Sequence, residues 1–319
     1  MDELNALSRF KQTSRLSLHA SATVTGYLLI WVAAALWASL GPLYKLLFHF
    51  GASPLTVVTF RAGLASFILI VWQLATQRSL AGLRIARRDI PLMLAYGVIG
   101  IAFFYATYVY AVQLTGVAVA VVLMYTAPAW VVLIAWWRLG EGMDRQRAVA
   151  LALAFGGCVL VAQAYDLAAL QINAIGVLCG LGAGIGYGLY SIFNKIGVQR
   201  YRPVTVQFYG FAIGAICLSL MQPVDFLLAP FGSPLLLGGL ILLAVGPTLG
   251  GGLAYAAGVQ RLPVSVASLL ATLEPALATV FGFVFLGEVL QVGQWLGICL
   301  VLAAAIMLRP QATRCSPVV

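Results

Sequence analysis

Long apolar stretches alternate with short polar breaks along almost the whole chain. Each stretch is long enough for a helix to cross the roughly 30 Å hydrocarbon core of a bilayer, which takes about 20 residues. Five such stretches lie in the first half, at residues 24–47, 55–75, 90–112, 116–137 and 146–164. Five more lie in the second half, at residues 172–194, 204–221, 235–259, 263–286 and 292–308. The pattern predicts an all-α integral membrane protein with ten transmembrane helices.

The composition agrees with this prediction and excludes a soluble globular protein. Of 319 residues, 62% are hydrophobic and 8% are charged, whereas a soluble domain carries about 25% charged residues. Ten spans use up nearly the entire length, so no sizeable soluble domain is expected. The lipid bilayer is therefore the first partner that the sequence indicates.

The basic residues are unevenly distributed between alternate loops. If the N-terminus is cytoplasmic, 16 of the 18 Lys and Arg residues fall on the cytoplasmic side, Lys45 falls outside and Arg61 lies within a span. Short loops rich in Lys and Arg mark the cytoplasmic side of a membrane protein. We therefore expect a multi-pass protein of the plasma (inner) membrane with both termini cytoplasmic. The net charge of +9 is then explained without a nucleic-acid partner.

The two halves of the chain are similar to each other. A shift of 147 residues aligns Pro128 with Pro275 and Leu139-Gly140-Glu141 with Leu286-Gly287-Glu288. We predict a first five-helix repeat at residues 24–165 and a second at 172–309, flanked by a cytoplasmic segment, 1–23, and a cytoplasmic tail, 310–319. Because five is odd, the second repeat enters the membrane from the opposite side, which makes the repeats inverted. Inverted repeats are the structural basis of alternating access in many transporters.

Several motifs point to one family. They are Phe60-Arg61 in the second span, Ala127-Pro128 and Glu274-Pro275 in the fourth and ninth, and the Leu-Gly-Glu sequence that closes each of the last two. With the duplicated five-span unit, they resemble the EamA family of the drug/metabolite transporter superfamily, and within it the ten-span exporters of amino acids and other metabolites. The resemblance implies a central cavity lined by the first, third, fourth, sixth, eighth and ninth spans.

Glu274 is the carboxylate that lies nearest to the middle of the membrane. It is about 11 residues, or some 16 Å, from the cytoplasmic end of its span. A carboxylate at this depth is costly unless it is neutral, paired or facing water. It is interpreted either as a site for a substrate amine or a proton, or as a structural hydrogen-bonding group beside Pro275.

Prolines and glycines indicate where helices are interrupted. Pro275 and Pro128 each remove a backbone N–H and free carbonyls in the preceding turn, which a ligand, water or side chain can use. Close helix packing is the favoured role of the glycines in the eighth span. Gly246 and Pro247 are also predicted to bend it, and with the two prolines they are the predicted gating positions. Glu141 and Glu288 end helices, where the helix dipole disfavours a carboxylate, so we expect them to serve the N-termini of the next helices.

Arg61 lies within a few ångströms of the depth of Glu274, so an ion pair between the two is one interpretation. The second span is peripheral in the fold that the resemblance implies, and a long Arg side chain can reach the interface. A structural role for Arg61 is therefore favoured.

Aromatic residues are concentrated on the spans that the resemblance assigns to the cavity. Their hydroxyl groups and ring faces suit an amphipathic solute, although packing within the bundle or an interfacial belt is the favoured interpretation of any single ring. The predicted substrate-binding residues are Trp37, Tyr96, Tyr105, Tyr125, Tyr187 and Tyr190, together with Glu274.

These features predict a secondary transporter that exports small metabolites, amino acids before others. The alternatives are a broad-specificity drug or metabolite permease of the same fold, or a channel. An enzyme is not expected, because there is no HExxH sequence and no pair of intramembrane aspartates. No cofactor or metal is predicted, GxxxxGK[ST] is absent, and the sequence leaves a monomer and a homodimer open.

Overall fold

The computed structural model describes residues 22–166, 173–287 and 289–308, which are helical almost throughout. The first repeat contains α1 (Ala22–His49), α2 (Pro54–Gln77), α3 (90–115), α4 (117–139) and α5 (Arg145–Val161). The second repeat contains α6 (Ala174–Val198), α7 (Pro203–Ser219), α8 (Pro234–Arg261), α9 (Val264–Leu286) and α10 (Val292–Met307). The prediction of an all-α membrane protein is confirmed.

Six helical stretches in the described residues are long and apolar enough to cross a bilayer. One of them, Arg87–Leu139, is 53 residues long and holds both α3 and α4. These two helices are separated by Gly116, whose φ of 78° and ψ of 169° are not helical, a conformation that glycine adopts without steric cost. The helices α7 and α10 are apolar but shorter.

The loops alternate between two faces of the bundle. The face that holds residues 78–89, 140–144, 199–202 and 262–263 is called the basic face here. Its loops are tied to each other by the bonds of Arg200 and Tyr201 to Asp89 and of Glu141 to Val264. On the opposite face the Tyr165 hydroxyl bonds Gln291 at 3.1 Å.

Matching irregularities occur in the two repeats. The helices α3 and α8 each contain a π-helical segment, Tyr96–Phe103 and Ala244–Gly250, which coincide after the 147-residue shift. Likewise α4 is interrupted after Met124 and resumes at Ala127, while α9 is interrupted at Thr272. Gly140 and Gly287 end these helices with the same φ of 68°. The backbone therefore repeats even where it departs from a regular α-helix.

Contacts between the repeats are also paired. Gly26 of α1 packs on Leu262, and the corresponding Gly176 of α6 packs on Thr115. In the same way Trp37 of α1 lies against Gly251, and its counterpart Tyr187 of α6 stacks on Phe104 at 5.1 Å. Each contact maps onto its partner when the two repeats are exchanged. This is the arrangement expected of inverted repeats related by a pseudo-two-fold axis.

The helices α5 and α10 approach each other closely through two glycines. A Cβ atom on Gly157 would lie 2.6 Å from Val301 Cγ2 and 2.8 Å from the Gly297 carbonyl oxygen. Small residues at such a crossing allow two backbones to come into contact. The pair α5 and α10 is thus held by packing that has no room for a methyl group.

We expect Gly157→Ala to lower the midpoint of thermal unfolding in detergent, because overpacking of this kind costs about 1–3 kcal/mol. The neighbouring Gly156→Ala is a matched control, since a Cβ there has no atom within 4 Å. Equal midpoints for the two variants would contradict this account of the crossing.

Candidate functional site

Five aromatic residues meet where the two repeats face each other, and they are called the aromatic cluster: Trp37, Tyr96, Tyr187, Tyr190 and Tyr255. The Trp37 ring lies 6.2 Å from Tyr187, 6.5 Å from Tyr190 and 5.2 Å from Tyr255. Tyr190 also contacts Tyr96, with ring centroids 5.5 Å apart. Because Trp37 and Tyr187 are equivalent positions in the two repeats, their contact places the pseudo-two-fold axis inside the cluster.

The hydroxyl groups on one side of the aromatic cluster are occupied by internal hydrogen bonds. Tyr96 donates to Gln207 Oε1 at 3.1 Å, and Tyr255 donates to Ser191 Oγ at 2.7 Å. The amide of Gln207 in turn donates to the Gly252 carbonyl at 2.9 Å and reaches the Tyr190 hydroxyl at 3.5 Å. Tyr96 and Tyr190, both predicted to bind substrate, therefore contribute to helix packing in this conformation.

The Tyr187 hydroxyl differs from its neighbours. It is buried and has no hydrogen-bond partner among the described residues. A buried hydroxyl without a partner is unfavourable by about 1–3 kcal/mol, so a polar ligand or water at this position would be stabilising. The Tyr187 hydroxyl is therefore available to donate to a substrate.

Glu274 stands at the beginning of the second half of α9. The interruption at Thr272 starts a new helical segment, and Glu274 occupies its first turn. The positive end of a helix dipole favours a carboxylate there. The Tyr125 hydroxyl, from the equivalent interruption in α4, interacts with the carboxylate. The interruption in α4 thus supplies Tyr125, and the interruption in α9 supplies Glu274. The Glu274 side chain is half-buried and lies close enough to Tyr187 to interact with it electrostatically.

Arg61 lies in a different environment from the one that the sequence suggested. Its side chain is 6% exposed and points into the bundle, not towards the interface. The guanidinium Nε donates to Thr248 Oγ1 at 3.1 Å, and the guanidinium carbon lies 4.5 Å from the centre of the Tyr105 ring. A second nitrogen donates to Tyr44. The peripheral helix α2 therefore delivers a charged group to the interior beside Tyr105.

The predicted gating residues lie at the interruptions. Pro128 and Pro275 begin the second halves of α4 and α9, and in each helix a threonine hydroxyl bonds a carbonyl of the broken turn. These bonds join Thr126 to Leu123 at 2.7 Å and Thr272 to Leu269 at 2.6 Å. Both carbonyls also accept the backbone N–H of the same threonine. They are not the carbonyls that the prolines deprive of a partner, which belong to Met124 and Ala271, four residues earlier.

Gly246 and Pro247 lie in the π-helical segment of α8. Pro247 cannot donate to the carbonyl of Leu243, four residues earlier, and the hydroxyl of Thr248 donates to that oxygen instead, at 2.9 Å. Because Arg61 bonds the same hydroxyl, the bend in α8 is coupled to the buried cation.

The basic face is closed by a set of bonds that we call the clasp, made by Glu141, Arg147, Lys195 and Ser265. Glu141 accepts hydrogen bonds from the backbone N–H groups of Val264 at 2.8 Å and Ser265 at 3.2 Å. Arg147 lies 4.0 Å from Glu141 and 3.3 Å from the Ser265 hydroxyl. Lys195 donates to the carbonyls of Val259 and Leu262 at 2.8 and 2.7 Å.

The expectation that Glu141 serves the next helix is wrong. That helix, α5, is capped by Asp144, which accepts from the Arg147 N–H at 2.7 Å, and Glu141 reaches across to α9 in the other repeat. The equivalent Glu288 lies outside the described residues.

On the opposite face, a pocket of about 250 Å³ lies between α2, α3 and α7, lined by residues that include Ser53, Val109 and Gln222.

In the described part of the chain, no group of three or more His, Cys, Asp or Glu side chains is arranged to hold a metal ion. Trp136, Trp137 and Trp295 are exposed by 59%, 70% and 48%, as is typical of tryptophans in an interfacial belt.

Comparison with known proteins gives consistent matches over nearly the whole chain. The model of the EamA-like transporter family matches residues 24–163 and 174–309. The "Uncharacterized transporter YwfM" of Bacillus subtilis is 29% identical over 88% of this chain and 92% of its own. The "Probable terminal-alkyne amino-acid exporter" of Streptantibioticus cattleyicolor is 26% identical over 79% and 82%. A crystal structure at 19% identity superposes with a TM-score of 0.73 over 90% of this chain and 96% of the other.

Proposed function

Because the chain belongs to the EamA-like transporter family, we propose that it is a secondary transporter that exports small metabolites, and that amino acids are its substrates. The observation that carries this proposal is the position of Glu274. It stands at an interrupted helix near the axis between the repeats, beside Tyr125 and the aromatic cluster. A carboxylate in this setting is suited to an ammonium group, and aromatic faces nearby add cation–π attraction.

The proposed substrate residues fall into two groups. Glu274, Tyr125 and Tyr187 present polar groups to the substrate, while Trp37 provides an aromatic wall. Tyr105 lies against Arg61, and Tyr96 and Tyr190 hold α3, α6 and α7 together through Gln207. This division supports a small amphipathic substrate and not a large lipophilic one, because the rings of the aromatic cluster pack on each other.

Alternating access follows from the symmetry of the fold. The conformation described here is held closed at the basic face by the clasp, and exchange of the two repeat conformations would release the clasp and close the opposite face. Pro128, Pro275 and the segment containing Gly246 and Pro247 are the proposed bending points. A channel is disfavoured, because packed aromatic rings lie where a continuous pore would run.

The proposal of amino-acid export also draws on the printed name of the Streptantibioticus relative, which is a probable amino-acid exporter. Purified protein in proteoliposomes should accumulate radiolabelled amino acids by exchange against the same unlabelled amino acid inside. A panel of amino acids and nucleobases, with and without an imposed pH gradient, identifies the substrate and the coupling. Exchange of nucleobases alone would contradict the proposal, and so would electrical currents that do not saturate with substrate concentration.

We further propose the repeat boundaries and orientation that the sequence predicts, with the basic face in the cytoplasm. A reporter that is active only in the cytoplasm should be active when fused after Arg314, because the positive-inside bias is strong. The matched fusion after Asp166, in a loop of the opposite face, should be inactive. The reverse pattern would place the termini outside.

A further inference from the structure

Arg61 is a buried cation that makes no direct ion pair among the described residues. Its side chain is 6% exposed, and the described ion pairs do not join it to any carboxylate. A charge in the membrane interior is costly unless it is paired or reaches water, and such residues are commonly functional. An anionic group bound next to Arg61 would therefore stabilise this buried positive charge.

The guanidinium also has hydrogen-bonding capacity to spare. It carries five N–H donors, of which one bonds Thr248 and one bonds Tyr44. The remaining three have no acceptor among the residues that the structure describes. Both partners are neutral hydroxyls, and the guanidinium carbon lies 4.5 Å from the centre of the Tyr105 ring. A planar guanidinium with free donors can bind a carboxylate with two parallel bonds.

Arg61 and Glu274 belong to the same site. Each carries a charge that acts on the other without a direct ion pair between them. Tyr105, against which Arg61 lies, and Tyr108 are each close enough to interact electrostatically with both charges. A molecule that carried an anionic and a cationic group a few ångströms apart would satisfy both residues at once.

We infer that Arg61 is the anchor for the carboxylate of a zwitterionic substrate whose ammonium group binds Glu274. The inference rests on the proposed function and adds to it that the substrates are free α-amino acids, recognised at both charged groups. Decarboxylated amines and acids that lack the amino group would each leave one buried charge unpaired. A site with a buried polar group rejects an analogue that lacks its partner more strongly than a hydrophobic pocket rejects a change of size.

The test is competition for the exchange of radiolabelled L-phenylalanine in proteoliposomes, with L-leucine as a second labelled probe. Unlabelled L-phenylalanine, phenethylamine and 3-phenylpropionate share one side chain and differ in the charged groups. For the wild type, we expect the amine and the acid to compete at least about 30-fold more weakly than the amino acid, as for the loss of a buried charged partner. Equal competition by phenethylamine would overturn the inference from the wild type alone.

Arg61→Gln should remove the preference for the amino acid over the amine, and Arg61→Lys should restore part of it, since Lys keeps the charge but not the fork. Arg138→Gln is the matched control, because Arg138 stacks on the exposed Trp137 at the basic face.

If Arg61→Gln does not fold, the competition profiles of the wild type and of Arg61→Lys decide the question. Wild-type exchange with an unchanged amino-acid preference in folded Arg61→Gln would overturn the role of Arg61 only. Absence of exchange of any amino acid by the wild type would overturn the proposed function itself.

Discussion

Glu274→Gln protein is expected to fold like the wild type and to lose nearly all amino-acid exchange, with a rate at least about 30-fold lower, as for the removal of one partner from a buried charge pair. Glutamine has almost the same shape as glutamate, so the first turn of the second half of α9 and the contact with Tyr125 can persist. What is lost is the charge that holds the ammonium group or exchanges a proton. Exchange of labelled L-phenylalanine and the midpoint of thermal unfolding, measured on the same preparation, separate transport from stability.

The same substitution should also change the response of transport to pH. A carboxyl group that gains and loses a proton during the cycle makes the wild-type rate depend on pH, and the amide cannot titrate. The pH profile of Glu274→Gln should therefore be flat. Asp225→Asn is the matched control, because it makes the same chemical change at an exposed position on the opposite face. Wild-type rates and an unchanged profile in folded Glu274→Gln would assign Glu274 a structural role.

The sequence predicted the features that depend on local patterns and on repetition. Apolar length located the helices, and the shift of 147 residues predicted equivalent ends, which the structure confirms in the matching φ of Gly140 and Gly287. These features follow from residues close together in the chain, or from the comparison of one half with the other. The π-helical segments were not predicted. The Tyr96–Phe103 segment contains no proline, and its apolar composition fits an α-helix as well as a π-helix.

The direction in which a side chain points was harder to predict. Counting residues gave the depth of Arg61 but not the face of α2 on which it lies, and the peripheral position of α2 suggested the wrong environment. The inward face is set by Thr248, 187 residues further along the chain. Similarly, nothing near Tyr96 in the sequence indicates that Gln207 would occupy its hydroxyl. Depth can be predicted from one sequence, whereas pairing between distant helices requires the fold.

The clasp illustrates the same limit and suggests how the site is gated. Glu141 belongs to the first repeat, and the N–H groups that it accepts from belong to Val264 and Ser265 in the second. The first N–H groups of a helix have no partner within that helix and carry its positive dipole end. A carboxylate from the other repeat is therefore a strong but separable cap, and its release frees the two repeats to move apart at the basic face.

We expect Glu141→Gln to shift the protein towards a conformation that is open at the basic face. The amide keeps one acceptor oxygen in place of two and has no charge for the start of α9 or for Arg147, and hydrogen bonds to charged groups are worth about 1.5–3 kcal/mol. Even the lower value changes a two-state equilibrium by about tenfold. Ser268 is 6% exposed and lies one helical turn after Ser265. The substitution Ser268→Cys, in a variant that lacks the native cysteines, reports the opening of the basic face.

In vesicles with the basic face outward, an impermeant maleimide should label Ser268→Cys about tenfold faster when Glu141 is replaced by Gln. Asp166→Asn, an exposed carboxylate on the opposite face, should leave the labelling rate unchanged. Added L-phenylalanine should alter the rate in the wild type, since a substrate that prefers one conformation shifts the population between them. Equal labelling rates with and without Glu141 would mean that the clasp caps α9 without holding the basic face closed, and the closing force would then lie in the packing of α4 against α9.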